Sequence, residues 1–167
     1  MRLSGAGIIW ICLTVTGFRI SALLKKRTAL LEETVSFIVN LKVELNYRGE
    51  MIPNLIRRIA DCSVCRNLDY LLLCEAYIKS GEDFPTAWKK SLNESRCPYT
   101  TEERNKLSSL GEILGTTDAD SQITMLNLYE GYMKEFLNKA EKSQNDYARL
   151  STLMGFLSGF AVFILVL

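Results

Sequence analysis

The chain has no histidine, which removes the usual general base near neutral pH and the commonest transition-metal ligand. Proline is scarce, with three in 167 residues, and no run alternates apolar and polar residues with period two over a useful length, so no sheet is expected. Acidic charge is absent from both ends: the first acid is Glu32 and the last is Asp146. The middle of the chain has no basic excess either. Residues 28–149 hold 15 Lys+Arg against 19 Asp+Glu, a net of −4, which is a poor match to nucleic acid.

What the chain does have is two long charge-poor runs. From Leu150 to Leu167 no residue is charged, and the run ends "GFAVFILVL". As a helix at about 1.5 Å per residue it would span roughly 27 Å, close to a hydrocarbon core. From Leu3 to Leu24 the single charge is Arg19, near the end, where a long side chain can snorkel to an interface. This first run lacks a clear small-residue cleavage site, and its stronger basic cluster, Lys25 to Arg27, follows the apolar stretch. That order argues for an uncleaved anchor over a signal peptide. Arg19, Lys25, Lys26 and Arg27 follow the first run, and Lys134, Lys139, Lys142 and Arg149 precede the second. The positive-inside rule then places the middle in the cytoplasm and both termini outside. The expected organisation is an anchor with basic flank at 1–27, a cytoplasmic helical domain at 28–149 and a second anchor at 150–167. Gly155 and Gly159, four apart in "GFLSG", form a small-x-x-x-small pair suited to helix packing in the membrane. Their partner would be the first anchor, through Gly5 or Gly17, or a second copy in a homo-oligomer.

Five cysteines complete the inventory: Cys12, Cys62, Cys65, Cys74 and Cys97. "CSVC" is a C-x-x-C, but the later pair is not a second one, so the spacing of a four-thiolate metal site is not met. A redox pair would want a βαβ context that is not visible. A thiol redox or metal-binding protein using Cys62 and Cys65 is therefore the alternative reading, and reduced structural thiols are the main one.

The middle reads as helix throughout. Leu30, Leu31, Val35, Phe37, Ile38, Leu41 and Leu45 recur at three- and four-residue steps, continuing the first anchor as far as Gly49. Pro53 suits the first turn of a second helix carrying Ile52, Leu55, Ile56 and Ile59. A third spans Leu68 to Ile78 and stops at Ser80-Gly81. Pro85 opens a fourth, with Ala87, Trp88 and Leu92 facing inward. "TTEE", Thr100 to Glu103, supplies the cap and acidic first turn of a fifth, which runs through Leu107, Leu110 and Leu114. The sixth carries Ile123, Leu126, Met133, Leu137, Ala140 and Tyr147, with no Pro or Gly break before the second anchor beyond Gly131. The expected fold is all-α, an antiparallel bundle of roughly six helices whose first and last extend into the anchors.

The candidate functional stretch is "LGEILGTTDADSQ", from Leu110 to Gln122. Its Leu110-Gly111 and Leu114-Gly115 pairs are four apart, as are Asp118 and Gln122. Glycine costs about 1 kcal/mol relative to alanine inside a helix, so Gly111 needs a reason, and close approach of a neighbouring helix supplies one. Gly115 is expected to end the fifth helix, Thr117 or Asp118 to cap the sixth, and Gln122 to lie in its first turns. The acids here, Glu112, Asp118 and Asp120, have no nucleophile, base or metal partner beside them and serve as caps and dipole partners. The stretch is a structural joint, not a catalytic site, and no metal or cofactor is expected.

Four parts together resemble the stage III sporulation protein AB family of endospore-forming bacteria. They are the basic-flanked first anchor, "LKVELNYRGEMIPNLIRRIA", "LGEILGTTDADSQ" and the "GFLSG" anchor. In the second of these, Leu41, Glu44, Leu45, Tyr47, Pro53, Ile56 and Ala60 stand in the expected places. Ser151 departs from the pattern, which has glycine there, and Cys62 and Cys65 are not part of it. The resemblance implies a domain similar to the helical domain of the type II secretion inner-membrane platform protein. It implies a non-enzymatic platform of the secretion-like channel complex between mother cell and forespore, set in the mother-cell membrane. The cytosolic ATPase of that complex, stage III sporulation protein AA, would dock on it beside the complex's other subunits.

Overall fold

In the computed structural model the backbone is described at 2–48, 52–60, 65, 67–114 and 119–166. Side-chain surroundings are described at 19–47, 52, 54–59, 65, 67–114, 120–151 and 154. Six helices and no strand occur among the described residues: α1 Arg2–Arg48, α2 Ile52–Ala60, α3 Asp69–Lys79, α4 Phe84–Glu94, α5 Thr101–Ile113 and α6 Ala119–Val166. The chain divides into two compact units, 1–28 with 139–167, and 29–138. Among the described residues no helix is long and apolar enough to cross a membrane.

Local chemistry sets the helix ends. Ser80 closes α3 and Gly81 follows at φ +96°, a left-handed conformation that glycine takes cheaply. The Gly81 N–H bonds the Ile78 carbonyl and the Glu82 N–H bonds that of Tyr77, each at 3.1 Å, which satisfies two carbonyls left open at the helix end. Asp83 caps α4, its carboxylate accepting from the Thr86 N–H at 3.2 Å, with Pro85 in the first turn. Thr100 and Glu103 form a reciprocal capping box on α5: the Thr100 N–H donates to Glu103 Oε2 at 2.7 Å, and the Glu103 N–H to Thr100 Oγ1 at 3.3 Å. The expected break at Gly49 falls outside the described residues.

Within 29–138, α2 packs on α3, α3 on α4 and α4 on α5. The core is led by Trp88, Tyr70 and Phe37, with Leu30, Leu31, Ile38, Leu41, Leu55, Ile56, Leu71 and Leu92 around them. Two inward stripes differ from their apolar pattern. On α1, Thr34 is buried where Val35 is only half-buried. Its hydroxyl bonds the Leu30 carbonyl and the Tyr99 hydroxyl, each at 2.7 Å, so the polar atom enters the core satisfied. On α6 the inward face runs Gln122, Leu126, Tyr129, Met133, Phe136 and Ala140, leaving Ile123, Leu137 and Tyr147 half-buried at its edge.

Among the described residues an ion pair joins α1 to α6. Lys42 Nζ lies 2.6 Å from Glu130 Oε2, with Lys134 Nζ 2.7 Å from the other oxygen. Lys134 first and Lys42 second hold the Glu130 carboxyl below its ordinary value of 4.5. A depressed folded-state pKa stabilises above the unfolded pKa, and the contribution disappears as pH falls through the folded one. Replacing Glu130 by Gln should therefore lower the urea midpoint modestly at neutral pH and leave it unchanged well below pH 4. An unchanged difference across that range would exclude the linkage.

Candidate functional site

The Leu-Gly stretch is approached by two helices whose positions are held by hydrogen bonds. α5 begins at the Thr100 capping box, and Arg104 in its first turn reaches back to the end of α4. There the guanidinium donates to the Leu92 carbonyl and, at 3.3 Å, to the Cys97 carbonyl. These bonds tie the start of α5 to the last turn of α4 and to the segment that follows it. α4 in turn carries Trp88, whose ring stacks near Phe37 (centroids 6.0 Å apart) and meets Tyr70 edge-on at 5.4 Å.

Gly111 and Trp88 meet at this point. A Cβ on Gly111 would lie 2.0 Å from Trp88 Cδ1, 2.5 Å from Cγ and 2.6 Å from Nε1. The space of the missing side chain is filled by the indole. Trp88 Nε1–H donates to the Leu107 carbonyl at 2.7 Å. Leu107 lies four residues before Gly111, so its carbonyl also receives the helical bond of the Gly111 N–H. A Cβ in a helix tilts toward the N-terminus, and one at position 111 would sit over the carbonyl that the indole reaches. Glycine there gives the indole both its seat and its acceptor.

The rest of the stretch is divided. Leu110 and Leu114 are buried, and Leu114 ends α5 in extended conformation with its N–H on the Leu110 carbonyl at 3.0 Å. Gly115 and Asp118, the expected stop and cap, lie outside the described residues. Gln122 is buried in α6 on the same face as Leu126. Asp120 is exposed in the first turn of α6. Glu112 is exposed too, 3.8 Å from Lys89 of α4, a surface pair of little energetic weight. Gly155 and Gly159 lie in α6, but their surroundings are outside the described residues.

Among the described residues the thiols are withdrawn from solvent. Cys65, Cys74 and Cys97 are buried and form no disulfide. Burial pushes the Cys74 thiol up to about 12, against the opposing effect of a hydrogen bond with Ser91; an exchange-active cysteine needs the reverse, an accessible thiolate. Cys97 Sγ lies 3.0 Å from Asp69 Oδ1. Cys62 lies outside the described residues. Among the described residues no group of three or more His, Cys, Asp or Glu side chains could hold a metal ion.

Trp88 was legible in the sequence as an inward residue of α4, but its pairing with Gly111 was not. The available signal was a glycine inside a helix together with a large aromatic in need of a buried acceptor. Arg104, Thr34, Tyr99 and the Lys42–Glu130 pair carried no signal of their own, because their partners lie on other elements.

Comparison with known proteins gives one consistent answer. The profile of the family described as "Stage III sporulation protein AB" matches residues 2–167. The chain is similar to the stage III sporulation protein AB of Bacillus subtilis (strain 168), 23% identical over 171 residues, covering 100% of this chain and 99% of that one. It is also similar in fold to a solved structure titled "Stage III sporulation protein AB", with TM-score 0.61 and 20% identity. That likeness covers 72% of this chain and 98% of the solved one.

Proposed function

The chain belongs to the stage III sporulation protein AB family, and from that premise we propose that it is a membrane-anchored helical platform with no catalytic chemistry of its own. In this reading the protein sits in the mother-cell membrane with 28–149 in the cytoplasm. There it serves the secretion-like channel complex between mother cell and forespore and receives the complex's cytosolic ATPase, stage III sporulation protein AA. The observation that carries the anchoring is the exposure of large apolar side chains at the inner ends of the two charge-poor runs. Leu23 is 58% exposed on α1, and Leu150 and Met154 are 60% and 64% exposed on α6, with Ile20 at 39%. Water is a poor covering for such side chains and lipid is a good one. The scaffold half is supported by the Leu-Gly stretch, where the buried contacts join α4 to α5 and serve packing.

The docking is tested with the full-length chain in detergent, mixed with purified stage III sporulation protein AA and passed over a sizing column. A complex that elutes ahead of either protein is the expected result. Separate elution across micromolar concentrations, with and without nucleotide, would remove the adaptor role.

A further inference from the structure

The chain's charges are segregated in step with its two units. Residues 1–28 and 139–167 hold eight Lys+Arg against two Asp+Glu, a net of +6, whereas 29–138 holds 12 against 17, a net of −5. A whole-chain charge of +1 hides both. In the first unit Arg19, Lys25, Lys26, Lys142 and Arg149 have no ion-pair partner among the described residues, and all five are exposed. The acids of this unit, Glu141 and Asp146, are confined to α6. The α1 arm is therefore purely basic.

These cations border the exposed apolar side chains. On α1, Ile20 and Leu23 lie between Arg19 and Lys25-Lys26; on α6, Leu150 directly follows Arg149 and Met154 lies one turn further on. Arg19 and Lys26 are seven residues apart, two helical turns, and so share a face with Leu23 between them. Apolar surface edged by unpaired cations matches the boundary between acyl chains and charged headgroups.

We propose that this unit binds anionic phospholipid headgroups selectively, with Lys25, Lys26 and Arg149 as the main contacts. The proposal rests on the anchored reading above and adds a partner to it. The occupant is a phosphate-bearing lipid of net negative charge, because a zwitterionic headgroup offers no net field to the +6 unit. A basic residue near an anionic surface contributes about 1 kcal/mol, a factor of about five in association. That contribution is screened as the Debye length falls from about 10 Å at 0.1 M salt to about 3 Å at 1 M.

The test reconstitutes the full-length protein in phosphatidylcholine vesicles with trace spin-labelled phosphatidylglycerol or spin-labelled phosphatidylcholine. The motionally restricted fraction of each label gives their relative association. The expected result is a preference for phosphatidylglycerol of about five-fold at 0.05 M salt, shrinking toward one at 1 M. The triple variant Lys25→Gln, Lys26→Gln, Arg149→Gln should abolish the preference while keeping wild-type helicity and an unchanged restricted phosphatidylcholine fraction. Equal association of both labels in the wild type overturns the headgroup proposal and leaves the anchors standing. So does a preference that the triple variant retains. Release of the protein from the vesicles by alkaline carbonate would overturn the anchored reading as well, so the two failures are distinguishable.

Discussion

Gly111→Ala should destabilise the protein, although the same substitution at Gly131 should stabilise it. Both glycines lie in helices, α5 and α6, and alanine is favoured over glycine there by about 1 kcal/mol. At Gly131 a new Cβ meets nothing within 4 Å, so up to that gain is expected. At Gly111 it would stand 2.0 Å from Trp88 Cδ1, well inside van der Waals contact with a rigid, fully buried ring. Overpacking of this kind costs about 1–3 kcal/mol. Displacing the indole also strands its N–H from the Leu107 carbonyl, a further cost of about 1–3 kcal/mol. The penalties exceed the propensity gain, and the net expectation is a loss of about 2–3 kcal/mol. For a folded unit of this size that is a fall of roughly 10 °C in melting temperature. Thermal melts followed by circular dichroism check it. A Gly111→Ala protein that melts at or above the wild type would show that the indole can leave its seat without cost.

Trp88→Ala tests the same contact from the other side and should reverse the sign of the first result. Removing a buried tryptophan costs about 3–5 kcal/mol, here through lost packing on Phe37, Tyr70 and Phe84. In that background the clash at position 111 no longer exists. Adding Gly111→Ala should then recover up to about 1 kcal/mol, the plain helical preference. The double-mutant cycle isolates the coupling between the two positions. Additive losses would mean that Gly111 is required for something other than the indole. Activity in spore formation should follow stability through the series, since the joint serves packing. A variant that melts like the wild type yet fails in the assembly would instead mark a contact surface.

Much of the helical framework is written in short spacings. Thr100 with Glu103, Asp83 with Pro85, and Ser80-Gly81 each act over three or four residues, so the helix ends they create are legible without knowing any distant neighbour. The charge-poor runs at both ends, the basic flank after the first, and the motifs that the sporulation family carries are likewise properties of the chain read in order. The reason is physical: helical hydrogen bonds and caps join groups at most a turn or so apart.

Tertiary structure decided which faces meet. The apolar rhythm of α1 admitted Val35 to the core, but the approach of Tyr99, 65 residues away, provides a partner for the Thr34 hydroxyl and draws Thr34 inside. On α6 the inward stripe is centred on Gln122, Leu126 and Met133, because its rotation is set by the helices beneath it and not by its own composition. Lys42 finds Glu130 across 88 positions. The glycine in "LGEILG" announced that a neighbour comes close to α5, but the spacing of residues held no record of which one. That neighbour is an indole from α4, and its seat exists only once α4 and α5 have packed, since a contact that leaves no room for a Cβ is a property of two surfaces and belongs to neither sequence alone.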